Sequence, residues 1–278
     1  MSQTLTVARN DFRDVRRSKL LWGVMGIYVA FTALILYAEG TASEPDLATA
    51  LFGQFFMTTL LLPLVAIAGS YLAIAGERES NTVAFLLSQP TSRAAVVAGK
   101  FLSRSLLIVG SLLVAFVVGG IIAVVMYPSL ELGVVGPFVV LSIVFVGAYV
   151  GPSVAISAMT DTRSRAIAGA AGFYVLTDVL IVFESFSLVN ALRFLFAETL
   201  GLELGQHFYD FVFNLTPAGS HLNTMYFIFD PSTYQQLPAL DATQPFYLKP
   251  WFSVVILLAW TVVPLAIGYW RFRGAELG

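Results

Sequence analysis

Six stretches of this chain are apolar for long enough to cross a bilayer, and that leaves few folds open to it. A helix rises about 1.5 Å per residue, so hydrocarbon about 30 Å thick takes about 20 apolar residues. The runs extend from Leu20 to about Tyr37, Leu51 to Ala75, Phe101 to Met126, Phe138 to Ala158, Ala166 to Phe186 and Trp251 to Trp270. Only 12% of the residues are charged, about half the share of a soluble domain. The expectation is an all-α polytopic membrane protein with six transmembrane helices, forming a single transmembrane domain over residues 1–278. With no cysteine in the chain, neither a disulfide framework nor a thiolate metal site is open to it.

The order of charges orients the spans. Arg9, Arg13, Arg16, Arg17 and Lys19 precede the first run, while Arg78, Arg93, Lys100 and Arg104 surround the second-to-third connection. Arg163, Arg165, Arg271 and Arg273 fall on the same side, leaving only Arg193 and Lys249 on the other. Basic residues collect on the cytoplasmic side, so both termini are expected there, in the cell membrane. Residues 1–19 are polar enough that no cleavable signal sequence is read. Leu5, Ala8, Phe12 and Val15 recur at helical spacing there, with arginines on the other face. Such a segment is expected to lie in the headgroup layer as an amphipathic interfacial helix.

Two loops carry more than a turn requires. The connection at 76–100 opens with Glu77, Arg78 and Glu79, continues through a short apolar turn from Val83 to Leu87, and breaks at Pro90. A small amphipathic helix between two spans needs lipid or a partner protein to lie on. The opposite loop, 187–250, is apolar from Val189 to Phe213 but interrupted by charges, and then rich in proline. It reads as short helices at the outer surface, or as a hairpin partly inserted where protein covers its backbone.

Chemistry-bearing residues are few. The nearest approach to a phosphate-binding loop, Ala94 to Phe101, lacks the first glycine and the final hydroxyl. His207 and His221 are read as ordinary surface or interfacial residues, with no metal site and no catalytic residue assigned. Asp178 is the acid inside a span. It is either satisfied by neighbours such as Thr177 or a facing helix, or it lines a pathway. Gly147 and Gly151 permit close helix packing, within one subunit by default. Asn214-Leu215-Thr216 is a glycosylation sequon of the kind that arises by chance.

From Glu77 the chain reads E-R-E-x-x-T-V-x-x-L-L-S-x-P-T-S-R, then G-K before the third run, and it ends its last run with Trp270-Arg271-Phe272-Arg273. With a basic amphipathic N-terminus and six spans, it resembles a permease of the type-2 ABC exporter class. Asn81 stands where members usually have glycine. In size and layout it is also similar to the permease of the transporter that matures the copper site of nitrous oxide reductase. The resemblance implies a coupling helix between spans 2 and 3 that rests on a separate ATPase, with Glu77, Arg78, Glu79, Val83, Phe85, Leu86, Leu87 and Arg93 at that interface. It also implies two permeases and two ATPases per complex, an extracellular gate from the helices between spans 5 and 6, and alternating access. No cofactor is expected on this chain; ATP and Mg would bind the ATPase. No nucleic-acid partner is implied. A scaffold or sensor subunit that docks a partner without transporting anything is the alternative.

Overall fold

The computed structural model describes residues 3–80, 82, 91–182, 187–231 and 243–275, and among these every regular element is helical. α1 (Gln3–Val15) is followed by α2 (Lys19–Gly40) and α3 (Leu47–Ser70); a tight turn then leads into the short α4 (Ala75–Glu79). α5 (Arg93–Met126) and α6 (Leu132–Met159) are the longest. α7 (Arg163–Tyr174) runs on through a π-helical turn, Val175–Val179, and a last α-turn, Leu180–Val182. α8 (Leu188–Arg193), α9 (Gln206–Leu215) and α10 (Pro217–Asn223) precede α11 (Pro250–Arg273).

Five of these stretches are long and apolar enough to cross a membrane: α2, α3 with α4, α5, α6 and α11. The fifth expected span is the α–π–α stretch that begins at Arg163, and its described part ends at Val182. Side chains start the helices where the sequence offers oxygen acceptors for the orphan N–H groups. Ser18 accepts from Leu21, Asp46 from Ala48 and Thr49, Ser92 from Ala95, and Thr162 from Arg165. α5 therefore begins at Arg93 rather than at Phe101. Arg93 and Lys100, read from the sequence as loop charges, stand on its first turns, because nothing from Ala94 to Ala98 breaks a helix.

Within the bundle α6 packs along α11. A Cβ on Gly151 would lie 2.5 Å from the carbonyl oxygen of Thr261, and one on Gly268 would lie 2.7 Å from Cα of Ala155. These glycines are spent inside one subunit, as the default reading of the G-x-x-x-G step had it. Leu21, Leu62, Ile108, Phe145 and Tyr149 centre one core layer; Leu36, Phe55, Phe138 and Phe229 centre a second. The outward sides of α5 are bare and apolar, Val125 being 77% exposed, as a lipid-facing surface should be.

The loop between the fifth and sixth runs departs from a surface arrangement. α8 and the π-helix after it, Phe194–Thr199, bury no residue. α10 is instead inserted, with Pro217 to His221 buried against α3, α6 and α11. Thr216 accepts from Gly219, Asn214 donates to the Tyr247 carbonyl, and Asn223 donates to Leu248 and Ser253. Those bonds satisfy polar groups that hydrocarbon could not. His221 is accordingly no surface residue. It is fully buried, stacked between the rings of Phe55 (4.3 Å) and Phe145 (4.0 Å), with Nδ1 2.9 Å from the Thr59 hydroxyl. His207 is exposed. Asn214 is 2% exposed and its amide is already engaged, so the sequon is closed to glycosylation in the folded chain.

Candidate functional site

At the basic end of the bundle, α1, α4, α5, the α6–α7 turn and the ends of α3 and α11 meet. α1 lies against α5 because Gly99 leaves room for it: a Cβ there would come within 2.8 Å of the Thr4 carbonyl and Val7. The face that α1 buries is Val7, Ala8, Asp11 and Val15. Leu5 and Phe12, counted from the sequence on the apolar stripe, are exposed.

Asp11 is the charged member of that buried face, 5% exposed, opposite Lys100 at 3%. Lys100 Nζ is 2.8 Å from Asp11 Oδ1. Arg104 clasps the same carboxylate with two donors, Nε and Nη2, each at 2.8 Å, and gives Nη1 to the Gly69 carbonyl at 2.7 Å. Ser103 also donates to Asp11, and Lys100 reaches on to Glu77. Burial alone would raise the Asp11 carboxyl, but the Lys100 and Arg104 cations overcome it and hold the group below its ordinary value. A buried charge is tolerable when paired and hydrogen-bonded on this scale. The arrangement ties α1, α4 and α5 into one unit.

The neighbouring acids and arginines tie in the rest. Arg78 donates Nη1 to the carbonyls of Ala158 (3.3 Å) and Thr160 (3.1 Å) and pairs through Nη2 with Asp161 at 2.6 Å. Glu79 accepts the backbone N–H of Arg163, an orphan donor at the start of α7. Ser157 accepts from Ile74 and Ala75 at the turn into α4. Across the loop, Arg93 donates to the carbonyls of Phe272, Arg273 and Ala275 at the end of α11 and lies 5.5 Å from the centre of the Phe272 ring. The Ser92 N–H donates to Gln3 on α1.

The sequence-predicted residues Glu77, Arg78, Glu79 and Arg93 are thus assembled here as a frame around the loop. Val83, Phe85, Leu86 and Leu87 lie outside the described residues. Asp178 is elsewhere, in the π-helical turn, 0% exposed and accepting from the Tyr149 hydroxyl, with Thr177 beside it. One of its oxygens, Oδ2, is met by the facing helix α6, while Oδ1 has no hydrogen-bond partner among the described residues. Asp11, Lys100 and Arg104 form the centre of the site, and the sequence reading assigned no site role to any of them. The one signal was Asp11 itself, an acid three and four residues along from Ala8 and Val7 on what must be a buried stripe.

Comparison with known proteins points the same way. The chain is 29% identical over 180 residues to the probable ABC transporter permease protein NosY of Pseudomonas aeruginosa, an alignment covering 61% of this chain and 64% of that protein. It is 25% identical over 194 residues to the protein of the same name from Stutzerimonas stutzeri, covering 66% of this chain and 69% of the relative. The chain thus spans a little under two thirds of the P. aeruginosa relative's length. Residues 5–277 match the family described as ABC-2 family transporter protein, and the chain, a multi-pass membrane protein of ABC permease type, belongs to that family.

Proposed function

We propose that this chain is the membrane subunit through which a separate ABC ATPase drives export, with Glu77–Lys100 as the place where the stroke enters. The observation that carries this reading is the set of bonds made by the described residues that flank 83–90 in the chain. On one side Glu77, Arg78 and Glu79 hold α5 and the α6–α7 turn, and on the other Arg93 holds the end of α11. A push on the loop is therefore delivered to several helices at once. In the proposed complex two such permeases, identical or not, pair with two ATPases that hold ATP and Mg. The chain crosses the cell membrane six times, the stretch from Arg163 onward being the fifth span, with both termini in the cytoplasm. ATP-driven closure of the ATPases tilts the helix unit and alternates access to a path between the permeases. The inserted α9–α10 hairpin forms the outward gate. The likeness to the NosY permeases supports the permease role and leaves the substrate open.

Truncating an aromatic anchor seated in a partner's pocket costs about 2 kcal/mol or more, about thirtyfold in affinity. Phe85→Ala and Phe85→Asp should leave the permease in the membrane but release the ATPase in pull-down from detergent. If both variants retain the ATPase and its transport-linked hydrolysis in full, this loop is not the coupling element.

A further inference from the structure

Two cavities on the α6–α11 side adjoin at Met159. The first is an apolar groove of about 540 Å³ between α6 and α11, with Phe173 and Leu215 closing its far wall. Along α11 it runs from Ile256 to Ile267, about 16 Å of helix axis, which is half of a hydrocarbon core about 30 Å thick. The second is a polar pocket of about 460 Å³ at the basic end, holding Arg78, Arg271, Arg273, Asp161 and Trp270. Met159 lines both, and Arg271 follows Ile267 by about one helical turn. Among the described residues of this pocket three guanidinium groups meet one carboxylate, Asp161, which Arg165 also reaches. Arg78 is paired with Asp161, while among the described residues no carboxylate pairs with Arg271 or Arg273. Trp270, 67% exposed, stands where tryptophans settle at headgroup level.

We infer that this is a binding site for one anionic phospholipid, its phosphate held by Arg271 and Arg273 and one acyl chain laid in the groove toward Trp260. The length of the groove matches a single leaflet, and the charge sits at the end where the headgroups are. A soluble anion would leave the groove unused, and a zwitterionic lipid would bring, with its phosphate, a cation of its own into a site already rich in arginine. The inference does not depend on the ATPase reading. It does add a consequence to it: the bound lipid would touch the α6–α11 pair and the Arg78 anchor of the proposed coupling frame together.

The test is native mass spectrometry of the full-length permease released from nanodiscs of equal phosphatidylglycerol and phosphatidylcholine. Wild type should retain phosphatidylglycerol in excess. Each basic residue near an anionic surface contributes a factor of about five, so R271Q/R273Q should lower that excess about thirtyfold. Val263→Trp, a substitution on the exposed side of the groove, should displace the acyl chain and lower retention while leaving every arginine in place. Inorganic phosphate should not displace the lipid. Equal retention of both lipids by wild type, or an unchanged excess in both variants, would overturn the site. Full displacement by inorganic phosphate would reduce it to a soluble-anion site and overturn the lipid assignment.

Discussion

Two of the places where the molecule buries polar groups are built differently. At the basic end acid and base face each other: Asp11 meets Lys100 and Arg104, and Lys100 reaches on to Glu77, of which only the second oxygen, Oε2, has no hydrogen-bond partner among the described residues. In the membrane interior, His221 on α10 and Asp178 in the π-helical turn each stand against aromatic rings. Thr59 serves one nitrogen of His221, and Tyr149 serves one oxygen of Asp178. The other nitrogen and the other oxygen, Nε2 and Oδ1, have no hydrogen-bond partner among the described residues. Close to water, ions can be brought together at modest cost and used as clamps. At membrane depth an ion is expensive, and specificity comes from shape and stacking, with one hydrogen bond to fix each group. The two regions should therefore fail in different ways.

The largest effect is expected at the clamp. Asp11→Ala leaves Lys100 and Arg104 facing each other without their shared carboxylate, and removing one partner of a buried pair costs about 3–5 kcal/mol. Thermal unfolding in detergent should show the loss, with α1 becoming sensitive to proteolysis. The pH dependence has a definite sign. The folded Asp11 carboxyl titrates below its ordinary value, so its contribution is present throughout the range above that value, about 3.9. It is lost as pH falls through the lower folded value. Protection of α1 from protease should therefore be flat from pH 8 to 5 and give way only in stronger acid. A loss of protection near neutrality would mean that Asp11 is not the clamp.

An intermediate effect is expected in the interior. His221→Ala removes a ring held between two others and should cost about 3 kcal/mol in cavity and lost packing. His221→Phe keeps the stack and gives up only the bond to Thr59, about 1 kcal/mol. If phenylalanine proves as damaging as alanine, the ring's polarity matters more than its shape, and the contrast with the clamp collapses. Asp178→Asn should be smaller still. An amide can keep the Tyr149 bond, so stability should shift by about 1 kcal/mol with turnover per folded complex unchanged. Altered turnover at normal stability would put Asp178 on the transport path.

How far the sequence foretold each region follows from the range of its interactions. The spans were legible because twenty apolar residues in a row admit one explanation, and the basic segments flanking them stood out as runs. Arg93 and Lys100 misled, since a charge at the edge of an apolar run looks like loop until its partners are known. Those partners are Phe272, Arg273 and Ala275 for one and Asp11 for the other. His221 was further out of reach. Its hydrogen-bond partner Thr59 is 162 residues away, and neither Phe55 nor Phe145 differs in sequence from any other membrane phenylalanine. The inserted hairpin was open as a reading because its charges forbade a span while its apolar content forbade a free loop. Asn214 and the G-x-x-x-G step show the opposite error to guard against: short patterns with well-known uses, here spent on ordinary packing.

Arg93 also sets a timetable for synthesis. Its carbonyl partner at Ala275 lies 182 residues later in the chain. At about 5–20 residues per second on the ribosome, that guanidinium waits roughly 10 to 40 seconds for the end of α11 to arrive. Until then α5 is inserted while its first turn is unlatched. The described flank of the loop at Arg93 is therefore fixed to the end of α11 only when that final helix is made. Folding is thereby ordered by the chain itself: α5 is placed first, and its first turn is latched to α11 last.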